Sequence, residues 1–340
     1  MKRVNVGIMN VTGYIGIDLA RILVQHPGVQ LTSVTGRSGA GQKLGDIFPH
    51  MADFALGVEA ELGDVEIAFA ALPHGASAPA VVEALERDIK VIDVSADFRL
   101  KDAATYKEWY KETHPSPELL AEAVYGLPEI YRAEISSARL VANPGCYPTC
   151  SILALAPALR EGLIETDIII DSKSGVSGAG RTLTLNTHFA ETNENVSAYA
   201  LGGHRHMPEI KQELQNLAGD RKVSLTFVPH LIPMTRGMLS SCYAKLARET
   251  SVQEVRELYR EFYRDEPFVR VVDNPPQTKQ TLGSNLCLVH PVIDPRTGRL
   301  IVISCIDNLV KGGAGQAVQN MNLMLGLPEG TGLGAVALYP

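Results

Sequence analysis

The stretch Val4-Asn-Val-Gly-Ile-Met-Asn-Val-Thr-Gly-Tyr-Ile-Gly16 decides the first half of the fold. Val4 to Met9 reads as a buried strand. Gly13-Tyr-Ile-Gly16 opens a helix in which Ile15, Leu19, Ile22 and Leu23 recur at helical spacing, and Val29 to Thr35 is the next strand. Strand, glycine turn, helix, strand is the order of a pyrophosphate-binding βαβ unit, whose helix start turns backbone N–H groups toward phosphates. Val11 stands where G-x-G-x-x-G has its first glycine, so only two of the three remain. Gly13, Tyr14, Ile15 and Gly16 are the candidate phosphate-side residues.

The second strand ends in Thr35-Gly-Arg-Ser38, without the acidic residue that binds the ribose 2′-hydroxyl of NAD. Arg37 and Ser38 suit a 2′-phosphate, which favours NADP(H). Strands at Val65 to Ala71 and Lys90 to Val94 flank a helix from Ala76 to Arg87, and each ends in loop residues: Leu72-Pro-His-Gly75 and Ser95-Ala-Asp97. Leu72, Pro73 and Ser95 are further cofactor candidates, and His74 is either a contact or a solvated loop residue. This alternation predicts an α/β, Rossmann-type doubly wound domain. Lys101 to Arg132, with the single Trp109, reads as an insertion of helix and irregular chain.

The chain has 340 residues, 45% hydrophobic and 20% charged, enough for about two domains. A net charge of −7 argues against an electrostatic grip on nucleic acid or an anionic membrane. No apolar run approaches the roughly 18 residues of a membrane span. Five cysteines at irregular spacing make no disulfide framework, so a reducing, cytoplasmic compartment is expected.

Arg139-Leu-Val-Ala-Asn-Pro-Gly-Cys-Tyr-Pro-Thr-Cys150 joins a short strand to a helix through the turn at Asn143-Pro-Gly145, with Pro148 suited to a first helical position. Cys146 falls where the positive end of the helix dipole favours a thiolate and where backbone N–H groups can hold an oxyanion. Packing as a small hydrophobe is the competing reading. Cys146 and Cys150 with His204 and His206 also have the ligand types of a zinc site, but no short knuckle joins the pairs, and no metal is expected.

Beyond Cys146, the loop Gly175-Val-Ser-Gly-Ala-Gly-Arg181 suits close backbone approach to a ligand. Gly202-Gly-His-Arg-His-Met-Pro-Glu-Ile210 sets His204, Arg205 and His206 before a helix begun by Pro208 and Glu209. Strands at Val223 to Val228, Gly237 to Leu246, Phe268 to Val272, Asn285 to Ile293 and Arg299 to Ile306 describe a mainly antiparallel sheet with helices on one face. The expected division is 1–146, completed by 311–340, for NADP binding, and 147–310 for catalysis and oligomerisation. Asn308 is expected near the nicotinamide.

These motifs, with Ser95-Ala-Asp-Phe-Arg99, Pro229-His-Leu-Ile-Pro-Met-Thr-Arg-Gly237 and Asp307-Asn-Leu-Val-Lys-Gly312, resemble the N-acetyl-γ-glutamyl-phosphate reductases, NADPH-dependent enzymes of arginine biosynthesis, over essentially the whole chain. The resemblance implies a glyceraldehyde-3-phosphate dehydrogenase-like fold and a homodimer or homotetramer built through the second domain's sheet. It also implies Cys146 as nucleophile toward a small acyl phosphate. His204 and His206 are both candidates for the acid/base, and the residue types leave the choice open. Ser177, Arg181, Arg205 and Arg236 are substrate candidates; Gly178 and Ala179 are cofactor candidates. Asn10 and Val11 replace the family's usual Gly and Ala, and Asn adopts the left-handed conformation that Gly provides. Cys150 replaces a small residue and adds a thiol whose oxidation would affect the site.

Related reductases acting on an aminoadipyl or glutamyl phosphate linked to an acidic carrier protein would share this chemistry but need a basic pocket mouth. Aspartate-semialdehyde dehydrogenases match the motifs less well. A non-catalytic NADP-binding regulator would not need Cys146 or the His-Arg-His cluster.

Overall fold

The computed structural model describes residues 3–340. Its chain forms two compact units, one running up to Pro144 with Gly313–Ala335 added, the other Gly145–Gly312 with Val336–Pro340. The division differs by a few residues from the expected one, for local reasons. The Asn143 amide donates to Gly313 O at 3.2 Å and accepts from Asn320 Nδ2 at 3.0 Å, fixing it in the first unit. Gly145 N–H instead donates to Glu209 in the second, and Leu338 N–H returns the tail to Leu282 O.

The first unit contains β1 (Val4–Met9), α1 (Tyr14–Leu23), β2 (Val29–Thr35), α2 (Leu44–Ile47), β3 (Val58–Glu59), β4 (Ile67–Ala70), α3 (Ser77–Glu86) and β5 (Lys90–Asp93). The insertion supplies α4 (Ala103–Tyr110), α5 (Pro117–Glu122), β6 (Val124–Tyr125) and α6 (Pro128–Ser137), before β7 (Leu140–Ala142). The seven strands are ordered β3-β2-β1-β4-β5-β7-β6, all neighbours parallel. Buried on both faces, β1, β4 and β5 are near-continuous apolar runs, as a parallel sheet covered by helices requires.

In the β1–α1 turn Asn10 takes φ +67°, the left-handed conformation that the family's usual glycine at this position provides. Its amide also donates to Ala71 O at 2.9 Å, tying the turn to the end of β4. Gly16 is required by contact: a Cβ there would lie 2.3 Å from Asn10 O, so only glycine lets α1 close onto this turn.

The second unit contains α7 (Cys146–Arg160), β8 (Ile164–Gly175), α8 (Phe189–Thr192), β9 (Ser197–Ala198), α9 (His206–Ala218), β10 (Ser224–Ile232), β11 (Met238–Leu246), α10 (Val252–Phe262), β12 (Val269–Val271), β13 (Cys287–Ile293) and β14 (Arg299–Ile306). Its sheet runs β12-β13-β14-β11-β8-β10-β9. It is mixed: β8 with β10 and β12 with β13 are parallel, and the other four pairings antiparallel. α7, buried from Tyr147 to Leu159, is the central helix against one face, with α9 and α10 beside it. On the other face Ile169, Tyr243, Ile301 and Val292 lie in register across four strands, Ile169 exposed and the other three partly exposed. α11 (Gly315–Met324) then packs in the first unit against α1 and α6.

α7 starts earlier than the sequence predicts. Cys146 is its first residue and Pro148 its third, which costs no hydrogen bond because first-turn N–H groups have no intrahelical acceptor. α9 likewise begins at His206, two residues before Pro208.

Candidate active site

Cys146 is half-buried, whereas Cys150, Cys242, Cys287 and Cys305 are buried. Its place at the first position of a fifteen-residue helix sets the thiol in the positive end of the helix field. Three groups of the second unit fix its surroundings. The buried Glu209 carboxylate, in the first turn of α9, accepts Gly145 N–H at 2.9 Å. Tyr147 Oη donates to His230 O at 3.1 Å. Gly312 lies against the cysteine so closely that a Cβ on it would be 2.7 Å from Cys146 Cβ. Gly312 belongs to a π-helical turn, Val310–Ala314, and its N–H donates to Asp307 O.

His204 and His206 come together beside Tyr147, their ring centroids 4.9 Å apart and 5.4 and 5.8 Å from the tyrosine ring. His204 Nδ1 accepts His206 N–H at 3.1 Å, and its Nε2 is 3.3 Å from Tyr199 Oη. Burial, reinforced by the Arg205 charge, pushes the His204 pKa down to about 4. Burial and the nearby Cys146 charge push the Tyr199 phenol up to about 12, and the Tyr147 phenol is raised further, chiefly by burial. Both tyrosines are therefore protonated hydrogen-bonding groups throughout the neutral range.

A second set of contacts gathers the loops that carry the substrate candidates. Asn308 accepts Gly237 N–H at 2.8 Å and donates to Ser177 Oγ at 3.0 Å, so both ends of its amide are used inside the second unit. Asp307, fully buried, accepts Leu309, Val310 and Gly283 N–H and lies 3.7 Å from the Arg236 guanidinium. Ser177, Gly178 and Ala179 lie in a short 3-10 helix, Val176–Ala179, within this cluster. Arg181 and Arg205 are exposed.

Cys150 corrects an expectation. Its thiol is fully buried 3.0 Å from Ser304 Oγ, and burial raises its pKa, so it lacks the accessible thiolate that oxidation needs. Among the described residues, no group of three or more His, Cys, Asp or Glu side chains is placed to hold a metal ion. None of the helices is long and apolar enough to cross a membrane, again among the described residues.

In the first unit, a cavity of about 330 Å³ opens beside the β1–α1 turn. Arg37, Ser38, Leu72 and Pro73 line it, with Asn10, Gly36, Glu61 and Glu83, while Gly13 to Gly16 are not among its lining residues. Arg87 also borders it, but its guanidinium is committed to Leu62 O and Gly63 O. Ser95 Oγ donates to Asp93 at 2.8 Å and accepts Asp97 N–H at 3.0 Å. His74 Nδ1 lies 2.6 Å from the buried Asp97, and its ring lies tilted against Tyr110 at a centroid distance of 4.2 Å.

Reading the sequence missed Glu209, Tyr199, Asp307 and Gly312. Glu209, three residues after His206 at the head of a helix, carried a usable signal. Tyr199 carried none, because its partners come from α7, the loop before α9 and β10.

Residues 5–138 match the family described as the semialdehyde dehydrogenase NAD binding domain, and 146–308 the semialdehyde dehydrogenase dimerisation domain. Curated relatives named N-acetyl-gamma-glutamyl-phosphate reductase include one from Dehalococcoides mccartyi, 58% identical with all of both chains covered. Another, from Pelotomaculum thermopropionicum, is 54% identical over 99% of each. Among solved structures, aspartate semialdehyde dehydrogenase II of Vibrio cholerae shares the fold with a TM-score of 0.74 at 18% identity, covering 96% of this chain and 99% of that one. The Candida albicans enzyme, solved with NADP, has a TM-score of 0.68 at 13% identity, covering 95% and 99%. With two family domains spanning most of its length and full-length relatives above half identity, the chain belongs to the N-acetyl-γ-glutamyl-phosphate reductases of the semialdehyde dehydrogenase superfamily.

Proposed function

We propose that the protein reduces free N-acetyl-L-glutamyl 5-phosphate to N-acetyl-L-glutamate 5-semialdehyde with NADPH, releasing phosphate, in arginine biosynthesis. One observation carries the chemistry: of five cysteines only Cys146 is not buried, and it heads a helix whose preceding N–H is anchored by a carboxylate. Cys146 sulfur forms a bond to the acyl carbon as the carbon–oxygen bond to phosphate breaks, leaving a thioester on the enzyme. Reduced nicotinamide, when bound, supplies the hydride that the acyl group gains. First-turn N–H groups of α7 lack intrahelical acceptors and face the oxygen that develops charge. His206 takes the thiol proton, lends it to the tetrahedral oxygen and recovers it as the thiohemiacetal collapses to aldehyde and thiolate. Arg236, held by Asp307, and Ser177 bind the anionic substrate, with Arg181 and Arg205 at the exposed side.

The first-unit cavity fits the adenosine end of NADP(H). Arg37 and Ser38 at its edge supply a charge and a hydroxyl to a 2′-phosphate, and β2 ends without an acidic residue to repel it. Self-association through the partly exposed sheet face, with its apolar row Ile169–Tyr243–Ile301–Val292, accounts for a face that would otherwise lie in water.

The test compares kcat/KM in the oxidative direction for free N-acetylglutamate semialdehyde and for the carrier-linked semialdehyde, with phosphate and NADP. Preference for the free compound is expected. Preference for the carrier-linked form overturns the substrate assignment.

A further inference from the structure

We propose that Tyr199 is a positioning residue of this active site: through one hydrogen-bond chain it fixes His204 as an Nε2–H donor and locks Tyr147, the residue after the nucleophile. The inference deepens the proposed reaction and rests on that reading only for its effect on turnover.

The donor count along the chain allows one direction. Its far end is the His230 backbone carbonyl, which only accepts, so Tyr147 Oη must donate to it, at 3.1 Å. The Tyr147 oxygen then accepts, and Tyr199 Oη donates to it at 3.3 Å. Tyr199 has one proton, now used, so at 3.3 Å from His204 Nε2 it accepts, and that nitrogen carries the hydrogen. The near end demands the same tautomer independently. His204 Nδ1 accepts His206 N–H at 3.1 Å and holds no proton. A carbonyl on β10 and an amide at the head of α9 thus impose the same state on one imidazole.

Protonating His204 would set an N–H on Nδ1 against the His206 N–H, two donors facing one another. The surroundings oppose it as well: Tyr147 and Phe227 enclose the ring at centroid distances of 5.4 and 5.5 Å, and Arg205 adds like charge. His204 is therefore held neutral and fully engaged, which leaves the proton to His206. Tyr199 also ties down the chain before α9. It alone is half-buried between Asn193 and Ala200, and its N–H donates to Pro229 O at 3.1 Å.

Two measurements test this on the full-length protein. Two-bond ¹H–¹⁵N histidine spectra read the tautomer without requiring turnover. His204 should show Nε2–H and a bare Nδ1, unchanged from pH 8 to pH 5.5. A His204 that titrates near 6.5, or carries Nδ1–H, overturns the proposal. Turnover in the semialdehyde-oxidising direction is then measured for Tyr199→Phe, His204→Leu and the double variant. Each single change should lower kcat about 10-fold with KM within about 2-fold, and the double change no further, as for members of one unit.

His204→Gln, whose amide still donates to Tyr199, should recover most of that loss and retain the neutral-pH inflection. Independent, multiplying effects of the single variants overturn the proposal, as does loss of the inflection in His204→Gln. Absent turnover by the unmodified protein with the stated tautomer intact would refute the reaction and leave the chain of hydrogen bonds standing.

Discussion

Glu209 and Gly145 are joined by a 2.9 Å hydrogen bond in which a carboxylate at the head of α9 accepts the N–H that immediately precedes the nucleophile helix α7. Two helix N-termini therefore meet at one buried anion. The positive ends of both helices stabilise the charge, and the charge fixes the distance between them. Cys146 and His206, the first residues of those two helices, are placed by the same contact.

Glu209→Ala leaves Gly145 N–H buried without an acceptor. The expected cost is about 1–3 kcal/mol of stability, with kcat down at least about 10-fold. Glu209→Gln keeps an acceptor oxygen and should lose less on both counts. Urea unfolding and steady-state kinetics on the two variants check this, and equal behaviour of Ala and Gln would show that the hydrogen bond does not matter.

Gly312→Ala drives a methyl group to 2.7 Å from Cys146 Cβ. The turn must shift, so the thiol should be displaced from its place in the helix field. Alkylation of Cys146 by iodoacetamide at pH 7 should slow about 10-fold, with a stability loss of about 1–3 kcal/mol. An unchanged alkylation rate would contradict the close packing.

Arg37→Asp replaces the charge beside the first-unit cavity with one that repels a 2′-phosphate. The unmodified protein should prefer NADPH to NADH, and the variant should lose or reverse that preference, read as the ratio of kcat/KM values. Equal use of both cofactors by the unmodified protein would remove Arg37 from the adenosine site.

His204 gives the protein a pH-dependent stability with a definite sign. Its folded pKa of about 4 lies below the ordinary 6.5. Below pH 6.5 the unfolded chain takes up a proton that the folded chain refuses until about pH 4. Stability should therefore fall through that window as pH drops, by up to about 3 kcal/mol, and the contribution is constant above it. Urea midpoints from pH 8 to pH 4 should show a shallower decline in His204→Gln.

The βαβ frame was legible because local signals agreed: an apolar strand, two glycines and a helical period between Val4 and Leu23. Even Asn10, in place of the family's usual glycine, was interpretable, since it reaches φ +67°. The start of α7 was misjudged because proline at any first-turn position is harmless, so Pro148 marks the turn and not the residue. The acid/base choice between His204 and His206 lay beyond sequence. It turns on Tyr199, Tyr147 and the His230 carbonyl, which are joined only when β10 and the loop before α9 pack beside α7. The contacts of Asn308 to Gly237 and Ser177 were not legible either, because they join loops far apart in sequence.

The central claim is that Cys146 forms the covalent bond to substrate. The most direct measurement is semialdehyde oxidation by Cys146→Ser alongside NADPH binding by the same variant. A serine hydroxyl ionises far less readily than a thiol and is the poorer nucleophile at neutral pH, so turnover should fall at least about 1,000-fold while cofactor affinity stays within about 2-fold. Near-normal turnover by Cys146→Ser would contradict the account.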